Sequence, residues 1–437
     1  MFNEVRSVRR KILLLVCCGV MVFSCIGCGG NKTENAVNSN DNVDSSSGKE
    51  ENNGDDNADN QNESKQTDEI DKTGNVIINT EYVPVSYRDN ALIVQRSEDM
   101  ELFGVLNNNG EIIVEPEYDE LKFVEMDGED YISVKLGDEF GIFNLDGSEY
   151  IEIGEYDEIV SAGDIGWLAK KDDKQYLLDT KGKVEKELND VYKSVEGDCY
   201  LFKPYDKNNG ATGDLFDLNE NLVINGDSIG MNILMGVYSK DLIYASIQKE
   251  EGNTTVILDS KGNIRYDLFL DQIVEVNPEK EILIAIAEND RNSAYDEEYY
   301  EYAFASQTKT PIEIAIDDVC KWNYQVLRKK TGDFSQFYTF DDEEIIEGRF
   351  ADYEREDRAL FLENIDSEWG LIDYSGKILI PFGYVEESDG DLFYQNKEMQ
   401  NISDLSSDGV FGFYIENDDG YEVYIYDVMK EISWFDK

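Results

Sequence analysis

Five side chains that carry oxygen atoms fall close together in the stretch YDKNNGATGDLFD, which runs from Tyr205 to Asp217. Ca²⁺ takes about six to eight oxygen ligands, and a loop with such side chains at short intervals could supply them. Gly210 stands one place early for an EF-hand turn, and no helix is predicted on either side. The stretch is either a weak Ca²⁺ site or a plain acidic loop, and we favour the acidic loop. The candidate ligands are Asp206, Asn208, Thr212, Asp214 and Asp217.

Tyrosine and acidic residues alternate in a second stretch, ENDRNSAYDEEYYEY, which spans residues 288–302. Tyrosine provides a large contact area at a small entropic cost, so a loop of this composition could recognise a cationic peptide or a sugar ring. A solvated loop without a ligand fits the same composition. The candidate binding residues are Tyr295, Tyr299, Tyr300 and Tyr302.

No residue pattern in the chain predicts catalysis. The sequence has no histidine, which excludes histidine-based acid–base chemistry and histidine metal ligands. Its 95 aspartates and glutamates are too many for any one pair to stand out as a hydrolase site. The formal net charge of −56 disfavours nucleic acid as a partner. We therefore expect a protein that is not an enzyme and carries no cofactor.

The amino terminus has the parts of a secretory signal. Arg6, Arg9, Arg10 and Lys11 precede an apolar run over residues 12–23. As a helix this run would rise about 18 Å, whereas a bilayer core measures about 30 Å. We therefore predict an export signal over residues 1–27 instead of a permanent membrane helix.

The end of this signal resembles the lipobox of bacterial lipoproteins, in which small residues precede a lipidated cysteine. Cys28 follows Ile26 and Gly27 and precedes a small and polar exit, while Cys25 is the alternative acceptor. The resemblance implies a lipid anchor on the outer face of the cytoplasmic membrane, exposed at the cell surface. Two further cysteines, Cys199 and Cys320, are either buried thiols or a disulfide.

Residues 28–73 follow as a tether. From residue 29 this segment lacks Leu, Phe, Tyr and Trp and is dominated by Asn, Asp, Glu, Ser and Gln. Such a composition cannot bury enough apolar area to offset the entropy of ordering. We predict a flexible coil of about 45 residues with a span of roughly 35–40 Å.

A unit with the alternation typical of β-strands recurs from residue 74 to residue 437. Its clearest copies are FGVLNNNGEIIVEPEYDEL, FGIFNLDGSEYIEIGEYDEI and EWGLIDYSGKILIPFGY, which start at Phe103, Phe140 and Glu368. Turn glycines at positions 74, 110, 147 and 182 are 36, 37 and 35 residues apart. We interpret FGVLN, EIIVEP, ELKFV and YISVKL as the four strands of one unit.

These copies resemble the WG repeat, also called the KWG repeat, of bacterial surface proteins. Trp369-Gly370 is the unmodified dipeptide, and Phe103-Gly104 and Phe140-Gly141 keep the glycine. The family brings no common catalytic residues. We assign Trp167, Trp322, Trp369 and Trp434 to packing between units.

Four strands in roughly 35–45 residues is the length of a propeller blade. We predict an all-β repeat protein, a β-propeller of seven to nine four-stranded units, with an open β-solenoid as the alternative. Ring closure would pair the run from Gly74 to Val83 with the run from Tyr421 to Val428. A closed ring removes exposed strand edges, and we expect a monomer.

Three functions fit this sequence. The first is a non-catalytic binding module at the cell surface for a protein or a polysaccharide. The second is a carboxylate-dependent extracellular hydrolase on a propeller scaffold, and the third is a structural component of the envelope.

The anchoring hypothesis can be tested at one residue. We expect Cys28→Ala to abolish acylation, because the lipid is attached to the cysteine thiol. Metabolic labelling with a fatty-acid probe measures this, and Cys25→Ala, which should remain labelled, is the matched control. Undiminished labelling of Cys28→Ala would identify another acceptor.

Overall fold

The computed structural model describes the repeat region as an all-β protein. The described residues are 75–96, 102–195, 200–205, 212–250, 252–269, 271–287, 298–312, 320–321, 326–331, 334–339, 344–350, 359–364, 366–388, 391–402, 404–405, 409–428 and 435. The predicted signal, both candidate lipidation sites and the tether lie outside these residues. Within them, no helix is long and apolar enough to cross a membrane.

Four-stranded antiparallel sheets follow one another along the chain. The first strand, β1 (Asn75–Thr80), belongs to the last of them, sheet 9. Sheets 1 to 3 contain, in hydrogen-bonding order, β2 (Val83–Arg88), β3 (Ala91–Gln95), β4 (Phe103–Asn107) and β5 (Ile112–Tyr118); β6 (Glu120–Met126), β7 (Glu129–Leu136), β8 (Glu139–Asn144) and β9 (Glu149–Tyr156); and β10 (Glu158–Ser161), β11 (Trp167–Lys171), β12 (Lys174–Leu178) and β13 (Val184–Glu187). A 3₁₀ turn at Gly163–Ile165 lies between β10 and β11.

The middle sheets keep the same order. Sheets 4 to 6 contain β14 (Lys193–Ser194), β15 (Tyr200–Pro204), β16 (Gly213–Asp217) and β17 (Leu222–Ile224); β18 (Met231–Ser239), β19 (Leu242–Lys249), β20 (Gly252–Leu258) and β21 (Ile264–Phe269); and β22 (Gln272–Asn277), β23 (Ile282–Ala287), β24 (Glu298–Ala303) and β25 (Thr308–Pro311). A one-turn helix, α1 (Gly226–Ile229), joins sheets 4 and 5.

The last strands form a continuous sheet that covers two repeats, and then the closing sheet. Sheets 7 and 8 contain β26 (Cys320–Lys321), β27 (Val326–Thr331), β28 (Phe334–Thr339) and β29 (Glu344–Phe350); and β30 (Ala359–Glu363), β31 (Trp369–Asp373), β32 (Ile378–Ser388) and β33 (Asp391–Tyr394), extended by β34 (Lys397–Glu398). The remaining strands are β35 (Gln400–Asn401), β36 (Asp404–Leu405), β37 (Val410–Asn417) and β38 (Gly420–Asp427). Counting the continuous sheet as two, the described strands form nine units, which confirms the predicted seven to nine.

The boundaries of the repeat unit differ from the sequence interpretation. The four predicted strands are present as β4, β5, β6 and β7, but β4 and β5 belong to sheet 1, and β6 and β7 to sheet 2. A single residue, Asp119, separates β5 from β6, and these two strands do not pair. In sheets 1 to 6 this hairpin therefore ends the sheet instead of beginning it, because the chain crosses to the next sheet after the hairpin. Glu220 and Gln307 replace the turn glycine in sheets 4 and 6.

Sheets 1 to 6 and sheet 9 each contribute their two faces to two different cores. In β3, Ala91 and Ile93 pack into the core between sheets 1 and 2, while Leu92 and Val94 pack into the core between sheets 9 and 1. This arrangement explains the continuous apolar run ALIV, since a strand buried on both faces does not alternate. Equivalent cores join sheets 2 to 6 in succession.

The array closes into a ring. Strand β1 pairs antiparallel with β38 over six residue pairs, from Asn75 opposite Tyr426 to Thr80 opposite Tyr421, as predicted. Sheet 9 thereby consists of β1, β38, β37 and β35, and it packs against sheet 8 on one face and sheet 1 on the other. A sheet that neighbours both ends of the array is a property of a propeller and not of an open solenoid.

The glycine of the WG dipeptide is required by a close approach between strands. A Cβ atom on Gly104 would lie 2.7 Å from the Val114 carbonyl oxygen and 2.8 Å from the Pro116 nitrogen. The register between β4 and β5 shifts at this point, so that the bulged fourth strand passes directly over the glycine. Gly370 has the same environment against the Ile380 carbonyl, at 3.0 Å.

Ring closure can be tested with two neighbouring residues of β1. Ile78 is buried in the core between sheets 9 and 1, whereas Ile77 is 38% exposed. We expect Ile78→Asp to cost about 3–5 kcal/mol, because it places an unpaired carboxylate in an apolar core. Ile77→Asp, the matched control, should change the free energy of unfolding by about 0.5 kcal/mol or less. Chemical denaturation followed by circular dichroism measures both, and equal stability of the two variants would contradict closure by β1.

The close approach at Gly104 gives a second prediction. Gly104→Ala should lower the free energy of unfolding by about 1–3 kcal/mol, because the methyl group has no space and the opposing atoms are backbone. Gly137→Asn is the control, since no atom lies within 4 Å of the added Cβ and asparagine tolerates the positive φ of 62°. If Gly104→Ala lowers the free energy of unfolding no more than Gly137→Asn does, the bulged strand β5 can move to accommodate the methyl group and the prediction is wrong.

Candidate functional site

The predicted calcium loop is only partly within the described residues. Asp206 and Asn208 lie outside them, whereas Asp214 and Asp217 lie in β16. One Asp214 carboxylate oxygen accepts hydrogen bonds from the Tyr205 hydroxyl, the Asn225 amide and the Gly226 backbone N–H. Within the described residues, no three His, Cys, Asp or Glu side chains are placed to share a metal ion.

Asp217 stabilises the repeat's hairpin turn. Its Oδ1 accepts the backbone N–H groups of Asn219 and Asn221 at 2.9 and 2.8 Å, and Glu220 takes the turn position with a φ of 63°. Asp179 accepts the N–H groups of Lys181 and Lys183 in the same way. The Asp and Asn side chains of the repeat therefore serve the turn.

These hydrogen bonds favour the ionised carboxylate. The side-chain and backbone bonds from Asn221 lower the pKa of Asp217, and the backbone bond from Lys183 lowers that of Asp179. A folded-state pKa below the unfolded value adds stability above a pH of about 4, and this contribution is lost as the pH falls through the lowered pKa.

The aspartate of the Tyr-Asp sequence links sheet 1 to sheet 2 and sheet 2 to sheet 3. The Asp119 carboxylate accepts the backbone N–H of Gly137 at 2.5 Å, in the turn between β7 and β8. Asp157 accepts the N–H of Asp172 at 3.0 Å in the corresponding turn of sheet 3. The repeat has three recognisable elements: the WG glycine, the turn aspartate and the aspartate of the Tyr-Asp sequence. At the positions described above, each of them has a structural role in the fold.

The tyrosine hypothesis is wrong for the residues that the structure describes. Tyr299, Tyr300 and Tyr302 lie in β24 and are 2%, 2% and 6% exposed, so their rings cannot contact a ligand. Tyr299 packs on one face of sheet 6, while the other two pack into the core between sheets 5 and 6. Strand β24 is buried on both faces, because sheet 5 covers one face and Ile312 and Phe435 pack against the other. Tyr295 lies outside the described residues.

Tyr300 instead anchors a polar link between sheets 5 and 6. Its hydroxyl donates to Asp271 at 2.5 Å and lies 3.0 Å from the Tyr266 hydroxyl. The Lys309 ammonium lies 3.5 Å from the centre of the Tyr300 ring and 3.2 Å from the same Asp271 oxygen. Burial, and then the Asp271 carboxylate, raise the pKa of Tyr300, so the phenol remains a donor.

The described tryptophans pack as predicted. Trp167 is fully buried, with the rings of Tyr131 and Tyr150 at 5.5 and 6.1 Å. Trp369 is partly buried against the core between sheets 8 and 9. Trp322 and Trp434 lie outside the described residues, as does Cys199, while Cys320 lies in β26.

A pocket of about 460 Å³ lies between sheets 3 and 4, and we call it the lysine pocket. The link from sheet to sheet is one residue at Asp119 and at Asp157, but it is lengthened to residues 188–192 between β13 and β14. Strand β14 has only two residues, which leaves space beside the first strands of both sheets. The lining residues are Glu158, Val160, Leu168, Lys170, Gln175, Asp190, Val191, Tyr192, Lys193, Ser194, Lys203 and Pro204.

The back of the lysine pocket is held rigidly. The buried Gln175 side chain donates to the Tyr192 carbonyl at 2.9 Å and accepts the Tyr192 backbone N–H at 2.7 Å. The Tyr192 hydroxyl donates to Glu220 at 3.2 Å. Burial, followed by the Glu220 carboxylate, raises the pKa of Tyr192 to about 12, which keeps the phenol protonated.

The mouth of the pocket carries the charged groups. Lys203 and Asp190 form an ion pair in which both side chains are partly exposed. Lys170 is half-buried on β11 opposite Glu158 on β10, and Lys193 is exposed on β14. The chain has 39 basic and 95 acidic residues, whereas three lysines and two carboxylates line this pocket. The charge of the lining is therefore opposite in sign to the net charge of the chain.

A second concavity, of about 450 Å³, lies at the seam where the ring closes. We call it the seam groove. It is formed by the end of β1, the turn before β38 and the hairpin turn of sheet 1, and its charged groups are acidic. The lining residues are Asn79, Thr80, Glu81, Tyr82, Gly110, Ile112, Asn417, Asp419, Gly420 and Tyr421.

The sequence prediction missed the lysine pocket. Its residues come from four separate segments, and no short motif unites them. One signal was present: EYDE, which ends the first two clear copies, is replaced by NDVY at residues 189–192. That irregularity marks the junction where the link between sheets lengthens.

Solved structures similar to this chain share little of its sequence. A eukaryotic initiation factor is 10% identical, with a TM-score of 0.36, over 72% of this chain and 89% of its own. An uncharacterized protein from Listeria monocytogenes EGD-e is 12% identical, with a TM-score of 0.33, over 69% and 95%. A WD40 domain from Neurospora crassa is 8% identical, with a TM-score of 0.24, over 84% and 93%. No curated protein matches the sequence.

The family model of the WG-containing repeat matches residues 103–139 and 369–386. The first match begins at β4 and continues to the start of β8, and the second covers β31 and most of β32. Both contain an aromatic–glycine pair beneath the bulged strand that follows it, and an Asp or Asn in the hairpin turn. Residues 103–139 and 369–386 are therefore WG-containing repeats.

Proposed function

We propose that this protein is a non-catalytic binding module, anchored by lipid at the outer face of the cytoplasmic membrane, that binds a protein or polysaccharide ligand. The observation that carries this proposal is the lysine pocket, formed where the repeat becomes irregular. The signature residues of the repeat are used by turns, bulges and links between sheets, so they are not available to a ligand. A pocket of about 460 Å³ falls within the ordinary range for ligand sites.

The anchor and the tether support a binding role outside the cytoplasm. Acylation of Cys28 would hold the chain at the membrane, and a flexible span of roughly 35–40 Å would let the ring sample the surrounding space. The ring itself presents the pocket on a rigid support, because Tyr192 and Gln175 are fixed by buried hydrogen bonds.

The hydrolase alternative is less well supported by the pocket's chemistry. Acid–base hydrolysis of a glycoside uses two carboxyl groups about 5–9 Å apart on either side of the bond. In the lysine pocket one of the two carboxylates, Asp190, is ion-paired with Lys203. A purely structural envelope component would need no open pocket.

The binding hypothesis can be tested with an array of polysaccharides and peptides. The mature, detergent-solubilised protein should bind a subset of the array, and Val191→Trp should weaken that binding by about tenfold or more, because the indole fills the pocket. Val184→Trp on β13 is the matched control, since this valine is similarly exposed but lies outside the pocket. Near-ultraviolet circular dichroism checks that both variants are folded.

Two outcomes would contradict the proposal. Absence of binding across the array would favour a structural component. Cleavage of a bound polysaccharide, abolished by Val191→Trp and kept by Val184→Trp, would favour the hydrolase.

A further inference from the structure

We propose that the lysine pocket recognises a carboxylate group attached to an aliphatic body, and that Lys170 and Lys193 bind the carboxylate. This inference rests on the proposed binding function, and it specifies the chemical class of the ligand. It joins three observations: two lysines with no carboxylate oxygen within 4.0 Å among the described residues, aliphatic side chains in the lining and a strongly negative net charge of the chain.

The three lysines of the pocket are not equivalent. Lys203 is neutralised by Asp190, with which it forms an ion pair. Neither Lys170 nor Lys193 lies within 4.0 Å of a carboxylate oxygen among the described residues. Among the described residues, these two lysines of the pocket therefore have no ion-pair partner, and the other lining carboxylate, Glu158, lies opposite Lys170 on β10.

Four of the residues that line the pocket are aliphatic. Val160 and Val191 are 40% and 39% exposed there, beside Leu168 and Pro204. A ligand that covers the two valines gains about 25 cal/mol for each Å² of apolar surface removed from water. The one aromatic lining residue, Tyr192, is 5% exposed and is therefore not a stacking platform for a sugar ring. The geometry favours an aliphatic body over a neutral sugar.

The net charge of the protein further restricts which anionic ligands can reach the pocket. A net charge of −56 repels any polyanion before it reaches the pocket, since fields extend over a Debye length of about 8 Å at physiological salt. A single carboxylate suffers less repulsion, and the pocket that receives it is lined by both Lys170 and Lys193. Free aliphatic acids and the carboxyl terminus of a peptide ending in an aliphatic residue share this chemistry.

A pair of probes that differ only in charge tests the inference. Hexanoate and hexanamide have the same aliphatic chain, and ligand-observed NMR with the mature protein measures the dissociation constant of each. We expect hexanoate to bind about tenfold more tightly, because charged hydrogen bonds to lysine are stronger than neutral ones. An acetylated dipeptide ending in leucine is compared with its carboxyl amide in the same way. Tighter binding of this dipeptide than of hexanoate would indicate that the natural ligand is a peptide carboxyl terminus, and weaker binding would indicate a free aliphatic acid.

The lysines are then tested directly. The double variant Lys170→Gln with Lys193→Gln should reduce hexanoate binding to the level of hexanamide and leave hexanamide binding unchanged. Lys122→Gln, at an exposed lysine of β6 outside the pocket, is the matched control. Equal binding of hexanoate and hexanamide, or full hexanoate binding by the double variant, would overturn the inference. If array ligands without a carboxylate bind and are lost in Val191→Trp, the binding function stands and the carboxylate assignment fails.

Discussion

Pairing of β1 with β38 joins the beginning of the repeat region to its end, and the sheet-to-sheet cores depend on it. Without β1, sheet 9 would lose its fourth strand and Ile78 would leave the core shared with sheet 1. That core would then be open to water at one point of the ring. Because sheets 1 and 9 are each buried on both faces, the two ends of an open array would each expose an apolar surface instead.

The repeat divides the chain into positions that build the ring and positions that are free to vary. Gly104 and its equivalents allow a bulged strand to pass, Asp217 and its equivalents hold the hairpin turns, and Asp119 links adjacent sheets. None of these side chains can change without a structural cost. A binding site must therefore be formed by other residues, and the lysine pocket lies where the link between sheets is longest among the first three junctions.

Much of this fold could be predicted from the sequence, because its determinants are local. Glycine turns at a spacing of 35 to 37 residues indicate hairpins, and the unpaired runs at the two ends indicate closure. The sheet boundary could not be predicted, since Asp119 is a single residue and nothing local shows that β5 and β6 do not pair. The sequence predicts an exposed loop at Tyr299 and Tyr300 because acidic residues precede them. Both tyrosines instead lie in a strand that is buried on both faces. The lysine pocket depends on contacts between distant segments, which a local pattern does not record.

The strand that closes the ring is also the first described strand after the predicted anchor and tether. The chain from the predicted anchor enters the described structure at Asn75, the first residue of β1. If the protein is anchored and binds a ligand as proposed, a mechanical force between the membrane and the ligand passes through this strand. A pull along β1 loads all six β1–β38 residue pairs in shear, whereas a pull across it separates them one at a time from Asn75 and Tyr426. The direction of tension on the tether thus determines how much force the ring withstands.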